Sequence, residues 1–237
     1  HLSTSNGSGE PILVYEAETE GAEGNFVASQ ILSKSKGHDF KDYAILYRTN
    51  AQSNSMEYAL KRNGIPYRVI GGMRFFERSE IKDMLSYLCV VNNRSDDLRL
   101  ERIINNPPRG LGAKTIETVQ KLAAAEGKSV YDVVCDPYNY GPLEKSAEKL
   151  LRFSALIEDL AGLLESGMSL PEFYDELLIR TGYADMLTNK PTEENKTKLE
   201  NVKELKSSIQ SYLANTTEPS LSGFLEEISL YTDLEQY

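Results

Sequence analysis

Tryptophan is absent from this 237-residue chain, and cysteine and histidine occur only twice each. Cys89 and Cys135 lie far apart, without another Cys or His at the spacing of a metal site, so the sequence excludes a zinc module and a disulfide framework. No apolar run is long enough to cross a membrane, and no signal peptide is visible. There is no Ser/His/Asp or Cys/His constellation either. We therefore predict no catalytic residue and no metal site, and we interpret both cysteines as reduced thiols of a cytosolic protein.

Negative charge dominates the chain, with a net charge of −10, but it is distributed unevenly. Residues 61–115 contain eleven Lys or Arg and six Asp or Glu, an excess of five positive charges that leaves −15 on the rest. A protein that binds a polyanion at one place and repels it elsewhere has this distribution. Ordinary charge scatter on solvated helices is the alternative interpretation.

The most informative segment is residues 106–115 (NPPRGLGAKT), between two segments of helical periodicity. Two prolines end the first helix, and the glycines allow a sharp turn and a close approach to the backbone. The second helix would then begin with unpaired N–H groups and a partial positive charge, beside Arg109 and Lys114. This helix-hairpin-helix pattern suits a phosphate of a nucleic-acid backbone. A tight turn between two packed helices, with no ligand, is the alternative.

The first ninety residues alternate apolar runs typical of strands with helical segments. The predicted strands are residues 11–17, 43–47 and 67–70, and the predicted helices between them are residues 23–32 and 53–63. This order predicts a parallel sheet of about three strands. The rest predicts helices alone, at residues 80–91, 129–134, 143–164, 169–181, 192–213 and 220–231. The expected fold class is therefore a partial α/β sheet followed by an all-α part with a helix-hairpin-helix-like element.

A second candidate surface follows the second predicted strand, at residues 47–53 (YRTNAQS). Arg48 could pair with a phosphate, and Asn50 could bond a phosphate or a base edge. Asn50 could equally cap the turn, and Ser53 could be an ordinary N-cap of the next helix.

Three segments, residues 44–53 (AILYRTNAQS), 64–83 (GIPYRVIGGMRFFERSEIKD) and 107–112 (PPRGLG), carry a family pattern. In order and spacing they resemble the superfamily 1 DNA helicases of the UvrD, PcrA and Rep type. The resemblance covers the chain after the first ten residues and weakens beyond about Val130.

The resemblance implies two RecA-like motor domains, with a mostly helical domain inserted into the second one. Residues 11–82 would be a partial RecA-like motor domain 2A and residues 83–237 the helical insertion domain 2B, after a flexible tail or tag remnant at residues 1–10. The implied DNA-binding residues are Arg48, Asn50, Arg109, Gly110, Leu111, Gly112, Lys114 and Thr115. One departure is Asn54, where many relatives carry an arginine that contacts phosphate.

The chain lacks a Gly-x-x-x-x-Gly-Lys-Ser/Thr phosphate loop and a strand-terminal acidic pair for Mg²⁺. By resemblance, ATP and Mg²⁺ belong to the full-length parent, whose later segments supply an arginine to the ATP site. We therefore expect no cofactor and no ATP hydrolysis in this fragment alone.

Two functions remain open from the sequence. The first is the DNA-binding fragment of an ATP-dependent 3′-to-5′ DNA helicase of repair or replication, in the bacterial cytoplasm near the nucleoid. Its partners would be single-stranded and duplex DNA, held without regard to base sequence, the parent's other domains and repair proteins, with no membrane contact. The alternative is a protein-interaction or regulatory helical module that does not bind DNA.

Overall fold

A computed structural model of the chain describes residues 9–35, 39–70 and 72–233, and within these ranges every regular element is a helix. The α-helices are α1 (Glu20–Lys34), α2 (Ser53–Arg62), α3 (Ser79–Asn92), α4 (Asp97–Ile103), α5 (Ala113–Glu126), α6 (Val130–Cys135), α7 (Ala147–Glu165), α8 (Leu170–Arg180), α9 (Tyr183–Thr188), α10 (Glu193–Asn215) and α11 (Leu221–Asp233). Short 3₁₀ helices occur at Phe40–Asp42, Asn50–Gln52, Phe75–Glu77, Pro137–Asn139 and Gly141–Ser146.

The predicted α/β fold class is wrong, because no strand and no sheet occurs among the described residues. Residues 11–17, 43–47 and 67–70 are extended segments without strand pairing. Many of their apolar side chains face solvent, with Ile12 93% exposed, Leu46 95% and Ile70 88%, whereas Tyr43, Ile45 and Tyr67 are half-buried against α1 and α2. An apolar run predicts a segment that gains free energy on burial, but a strand also needs the backbone of a neighbour at hydrogen-bonding distance. These three runs have no such neighbour here, so a RecA-like sheet is not formed.

The predicted helices are confirmed to within a few residues, because their end signals are local. Ser169 begins α8 with a capping box in which Glu172 bonds back to the Ser169 amide. Thr192 caps α10 by accepting a hydrogen bond from the Asn195 amide at 3.1 Å. Helix α9 was not predicted. The predicted tail falls mostly on residues 1–8, which lie outside the described residues, as does His38.

Two apolar clusters form the interior of the described residues. The smaller joins α1 to α2 through Ala28, Ile31 and Leu60. The larger extends from Phe75 to Ile228 and contains the buried faces of the helices from α3 to α11. The proposed boundary between residues 82 and 83 falls inside α3, and it stays a prediction.

Helix α10 reaches from the larger cluster back to α2, and buried polar side chains line this contact. Arg78, only 9% exposed, donates to Asn201 Oδ1 and to Ser53 Oγ, both at 2.9 Å. Asn201 in turn donates to Glu80 Oε1 at 2.7 Å. We call this set, with Asn54, Glu204 and Ser208, the α2–α10 seam. Its hydrogen bonds connect α2 to α10 and to Arg78, and α10 to the start of α3.

We expect Arg78→Ala to lower the free energy of unfolding by about 3 kcal/mol, because it leaves buried partners of the guanidinium without a donor. Arg152→Ala is the matched control, since the Arg152 side chain is 81% exposed and forms an ion pair with Glu148 at 3.5 Å. Its cost should stay within about 0.5 kcal/mol. Urea denaturation followed by circular dichroism measures both, and equal costs would contradict a structural role for the seam.

Candidate nucleic-acid interface

The segment between α4 and α5 folds into a tight hairpin, residues 104–112, that its own side chains hold in shape. Asn105 Oδ1 accepts hydrogen bonds from the Arg109 amide at 2.8 Å and from the Leu111 amide at 3.1 Å. The Asn106–Pro107 peptide bond is cis, and Gly110 has a φ of +70°. A side chain at Gly110 would be strained, so glycine is needed there for the backbone conformation itself.

The first turn of α5 is open to solvent. Gly112, Ala113 and Lys114 are exposed, and their amides have no acceptor among the residues that the structure describes. A Cβ placed on Gly112 would meet nothing within 4 Å, and its φ of −73° suits any residue. Packing therefore does not require glycine at this position. The turn instead presents unpaired N–H groups and the positive end of the helix dipole to an approaching anion.

Two lysines lie beside this open turn, and only Lys114 was predicted from the sequence. Lys114 is on α5, whereas Lys149 comes from α7 and donates to the Gly110 carbonyl at 2.9 Å. Thr115 Oγ1 lies 3.3 Å from Ser146 Oγ, just before α7. No spacing rule connects residue 149 to residue 110, since only the packing of α7 against the hairpin brings them together.

Arg109 uses its guanidinium inside the protein. Nη1 donates to the carbonyls of Ile103 at 2.9 Å and Pro107 at 3.1 Å, and Nη2 donates to the Tyr87 hydroxyl at 2.6 Å. The group also lies over the rings of Tyr87 and Phe153, at 5.9 and 5.3 Å. A direct phosphate contact by Arg109 stays a prediction. In this structure its guanidinium instead bonds the hairpin backbone and Tyr87 of α3.

Leu111 has its side chain in the larger apolar cluster and is only 1% exposed. It anchors the hairpin from beneath. A contact of Leu111 with DNA, as predicted, could therefore involve its backbone alone.

Several arginines of the basic window at residues 61–115 are likewise paired within the protein. Arg102 Nε lies 2.6 Å from Asp83 Oδ1, and Arg94 binds Glu158 at 3.2 Å. Hydrogen bonding to Arg94 lowers the pKa of Glu158, which supports a charged pair. The excess of five charges therefore overstates the positive charge that solvent meets.

The second candidate surface is a short turn before α2. Gln52 Oε1 accepts from the amides of Arg48 and Thr49, at 2.9 and 3.0 Å. The Arg48 side chain is exposed, while that of Asn50 lies outside the described residues. The turn contacts α2 and α10, whereas the hairpin bonds to α3 and α7, so the two candidate surfaces rest on different helices.

Asn54 is not on either surface. It is 1% exposed, donates to the Glu204 carbonyl at 3.2 Å and accepts from Ser208 Oγ at 2.9 Å. The position at which the resemblance predicts an arginine in relatives is thus occupied here by a residue of the α2–α10 seam, and the predicted difference from the relatives stays a prediction.

Between residues 9 and 233, apart from the gaps at 36–38 and 71, no three His, Cys, Asp or Glu side chains converge as metal ligands. No helix in the same ranges has the length and apolar character of a membrane span.

A model of the UvrD-like helicase C-terminal domain matches residues 1–237. The chain is 40% identical over 238 residues to the ATP-dependent DNA helicase PcrA of Staphylococcus aureus (strain COL), covering 99% of this chain and 32% of that protein. The PcrA protein of Staphylococcus epidermidis (strain ATCC 12228 / FDA PCI 1200) is 38% identical over the same shares. The chain thus spans about a third of the length of these relatives.

The hairpin geometry predicts opposite responses at its two glycines. Gly110→Ala should lower the free energy of unfolding by about 1–2 kcal/mol, because alanine is strained at a φ of +70°. Gly112→Ser should leave stability unchanged or raise it by a few tenths of a kcal/mol, since serine is a good N-cap. Thermal denaturation of the two variants checks this, and a comparable loss in both would show that Gly112 also serves the fold.

Proposed function

The chain belongs to the family of UvrD-like helicase C-terminal domains, and from that premise we propose that it is a DNA-binding part of an ATP-dependent DNA helicase. The named relatives are ATP-dependent DNA helicases about three times its length. In the proposed parent, which unwinds duplex DNA in the 3′-to-5′ direction, this chain grips DNA and other segments bind and hydrolyse ATP with Mg²⁺. Residues 11–82 belong to the second motor domain and residues 83–237 to its helical insertion.

The observation that carries the proposal is the open first turn of α5. The amides of Gly112, Ala113 and Lys114 have no acceptor in the described part of the chain, which favours an anionic ligand. The ammonium groups of Lys114 and Lys149 add full positive charge beside them, and Thr115 adds a hydroxyl. Such a site binds phosphates of either strand and does not read bases, as a motor that moves along DNA of any sequence requires.

Single-stranded DNA would bind at the separate turn before α2. The Arg48 side chain is exposed there, and Asn50 follows two residues later. The sequence around them resembles the segment that contacts single-stranded DNA in the family. The Asn54 side chain is buried against α10, so it cannot replace the phosphate contact of the arginine found in relatives. Arg48 therefore carries more of this contact here.

Binding of a labelled, blunt duplex to the 237-residue chain, measured by fluorescence anisotropy over a series of KCl concentrations, tests the proposal. We expect affinity to fall as salt rises and to be equal for unrelated sequences. Lys114→Ala should weaken binding about tenfold and reduce the slope of log K against log[KCl] by about one. Gly112→Val should weaken binding of every sequence alike, because its side chain covers the amides.

Lys196→Ala is the matched control, as this exposed lysine is on α10 and pairs with Glu193. It removes the same charge and should change the Kd less than about twofold. If the unmodified chain does not bind duplex at low salt, the proposal fails, and a protein-interaction module without DNA binding becomes the better interpretation. Binding that is indifferent to Lys114→Ala and Gly112→Val would remove the hairpin from the mechanism.

A further inference from the structure

Helix α3 holds the hairpin at both ends of one residue, Asn106. The Asn106 side-chain amide donates to Asp83 Oδ2 at 2.7 Å, and the Tyr87 hydroxyl donates to the Asn106 carbonyl at 2.7 Å. Asp83 and Tyr87 are one helical turn apart, so they present their polar atoms on the same face of α3. Together they restrain both the position and the orientation of the peptide that precedes the two prolines.

The Tyr87 hydroxyl also accepts from Arg109 Nη2 at 2.6 Å, which connects α3 to the second half of the hairpin. Tyr87 is fully buried, and burial raises its pKa to about 12, so the hydroxyl keeps the proton that it donates to Asn106. One hydroxyl thus joins the two limbs of the turn. Without it, the Asn106 carbonyl and Arg109 would each lose a partner in a place where water has little access.

The first turn of α3 lies at the α2–α10 seam. Arg78 directly precedes the helix, and Glu80 in its first turn accepts from Asn201 of α10 at 2.7 Å. Helix α3 therefore bonds to the seam through Glu80 in its first turn and to the hairpin through Asp83 and Tyr87, within the next two turns of the same continuous helix. A displacement of α3 at the seam would carry the hairpin with it.

We propose that Tyr87 and Arg109 are positioning residues, which fix the open turn of α5 on α3 and do not themselves touch DNA. This inference rests on the proposed function and adds to it the means by which the hairpin keeps its grip. Fixing the turn in advance lowers the entropy that DNA binding would otherwise lose in ordering it. In the proposed parent helicase, the same hydrogen bonds would connect the hairpin that holds duplex DNA to α3 and so to the motor domain.

Tyr87→Phe tests the hydroxyl, and Tyr174→Phe is its matched control. Tyr174 is also fully buried, and its hydroxyl donates to a backbone carbonyl, that of Val202, at 2.6 Å. Both variants lose one buried hydroxyl, and we expect the thermal midpoint to fall in both, further in Tyr87→Phe because its hydroxyl also accepts from Arg109. Tyr87→Phe alone should raise the Kd for duplex, by about fivefold or more. Equal duplex affinity in the two variants would overturn the inference.

Hydrogen exchange of the free chain gives a readout that does not depend on DNA. Amides of residues 105–116 should exchange faster in Tyr87→Phe than in Tyr174→Phe, because the turn opens locally. Unchanged exchange there would overturn the anchoring. Absence of duplex binding by the unmodified chain would instead overturn the proposed function, so the two failures are distinguishable.

Arg109→Lys separates positioning from direct contact. A lysine keeps the charge but cannot reproduce the fork that joins Tyr87 to the Ile103 and Pro107 carbonyls. We expect a loss of duplex affinity of about fivefold with an unchanged salt slope. Retained affinity in Arg109→Lys, together with a slope reduced by about one in Arg109→Ala, would show that Arg109 contacts phosphate and would overturn its positioning role.

Discussion

The hydrogen bonds between α3 and Asn106 are the constraint on which the hairpin depends. A turn that exposes unpaired amides to solvent has few stabilising interactions on its exposed side, because those amides have no hydrogen-bond partner within the turn. Its geometry must come from the opposite side. Asp83 and Tyr87 supply it there, through bonds of 2.7 Å to the amide and the carbonyl of a single residue. The open face and the rigid face are two aspects of one arrangement.

The same division applies to the positive charges. Arginine suits internal work because its planar fork satisfies several acceptors at once, and Arg78, Arg102 and Arg109 are all used in this way. The two lysines beside the open turn, Lys114 on α5 and Lys149 on α7, have exposed side chains. A compact ammonium on a flexible stem suits a phosphate whose position changes as DNA moves. At the hairpin, residue type and not only charge thus separates the structural cation from the DNA-facing ones in this proposal, whereas the exposed Arg48 before α2 is an arginine that would face DNA.

Asn54 shows how a short polar side chain connects distant parts of the chain. Its short amide fits between α2 and α10, where it bonds the Glu204 backbone and Ser208. The seam that results connects the first part of the chain to the helical remainder through side chains 150 residues and more apart in sequence. Since α3 bonds to this seam through Glu80 and to the hairpin through Asp83 and Tyr87, one helix connects the two parts of the chain that carry the proposed DNA contacts.

The sequence by itself determined the helices other than α9, several of their caps, the family and the turn at residues 106–115, because each depends on residues close together in the chain. It predicted strands at residues 11–17, 43–47 and 67–70 wrongly, because pairing requires a neighbouring backbone that apolar content does not reveal. Only the tertiary structure decided that Arg109 faces inward, that Leu111 is buried and that Lys149 joins the hairpin. These outcomes depend on which distant helix, α3 or α7, packs against the turn, and no local periodicity encodes that contact.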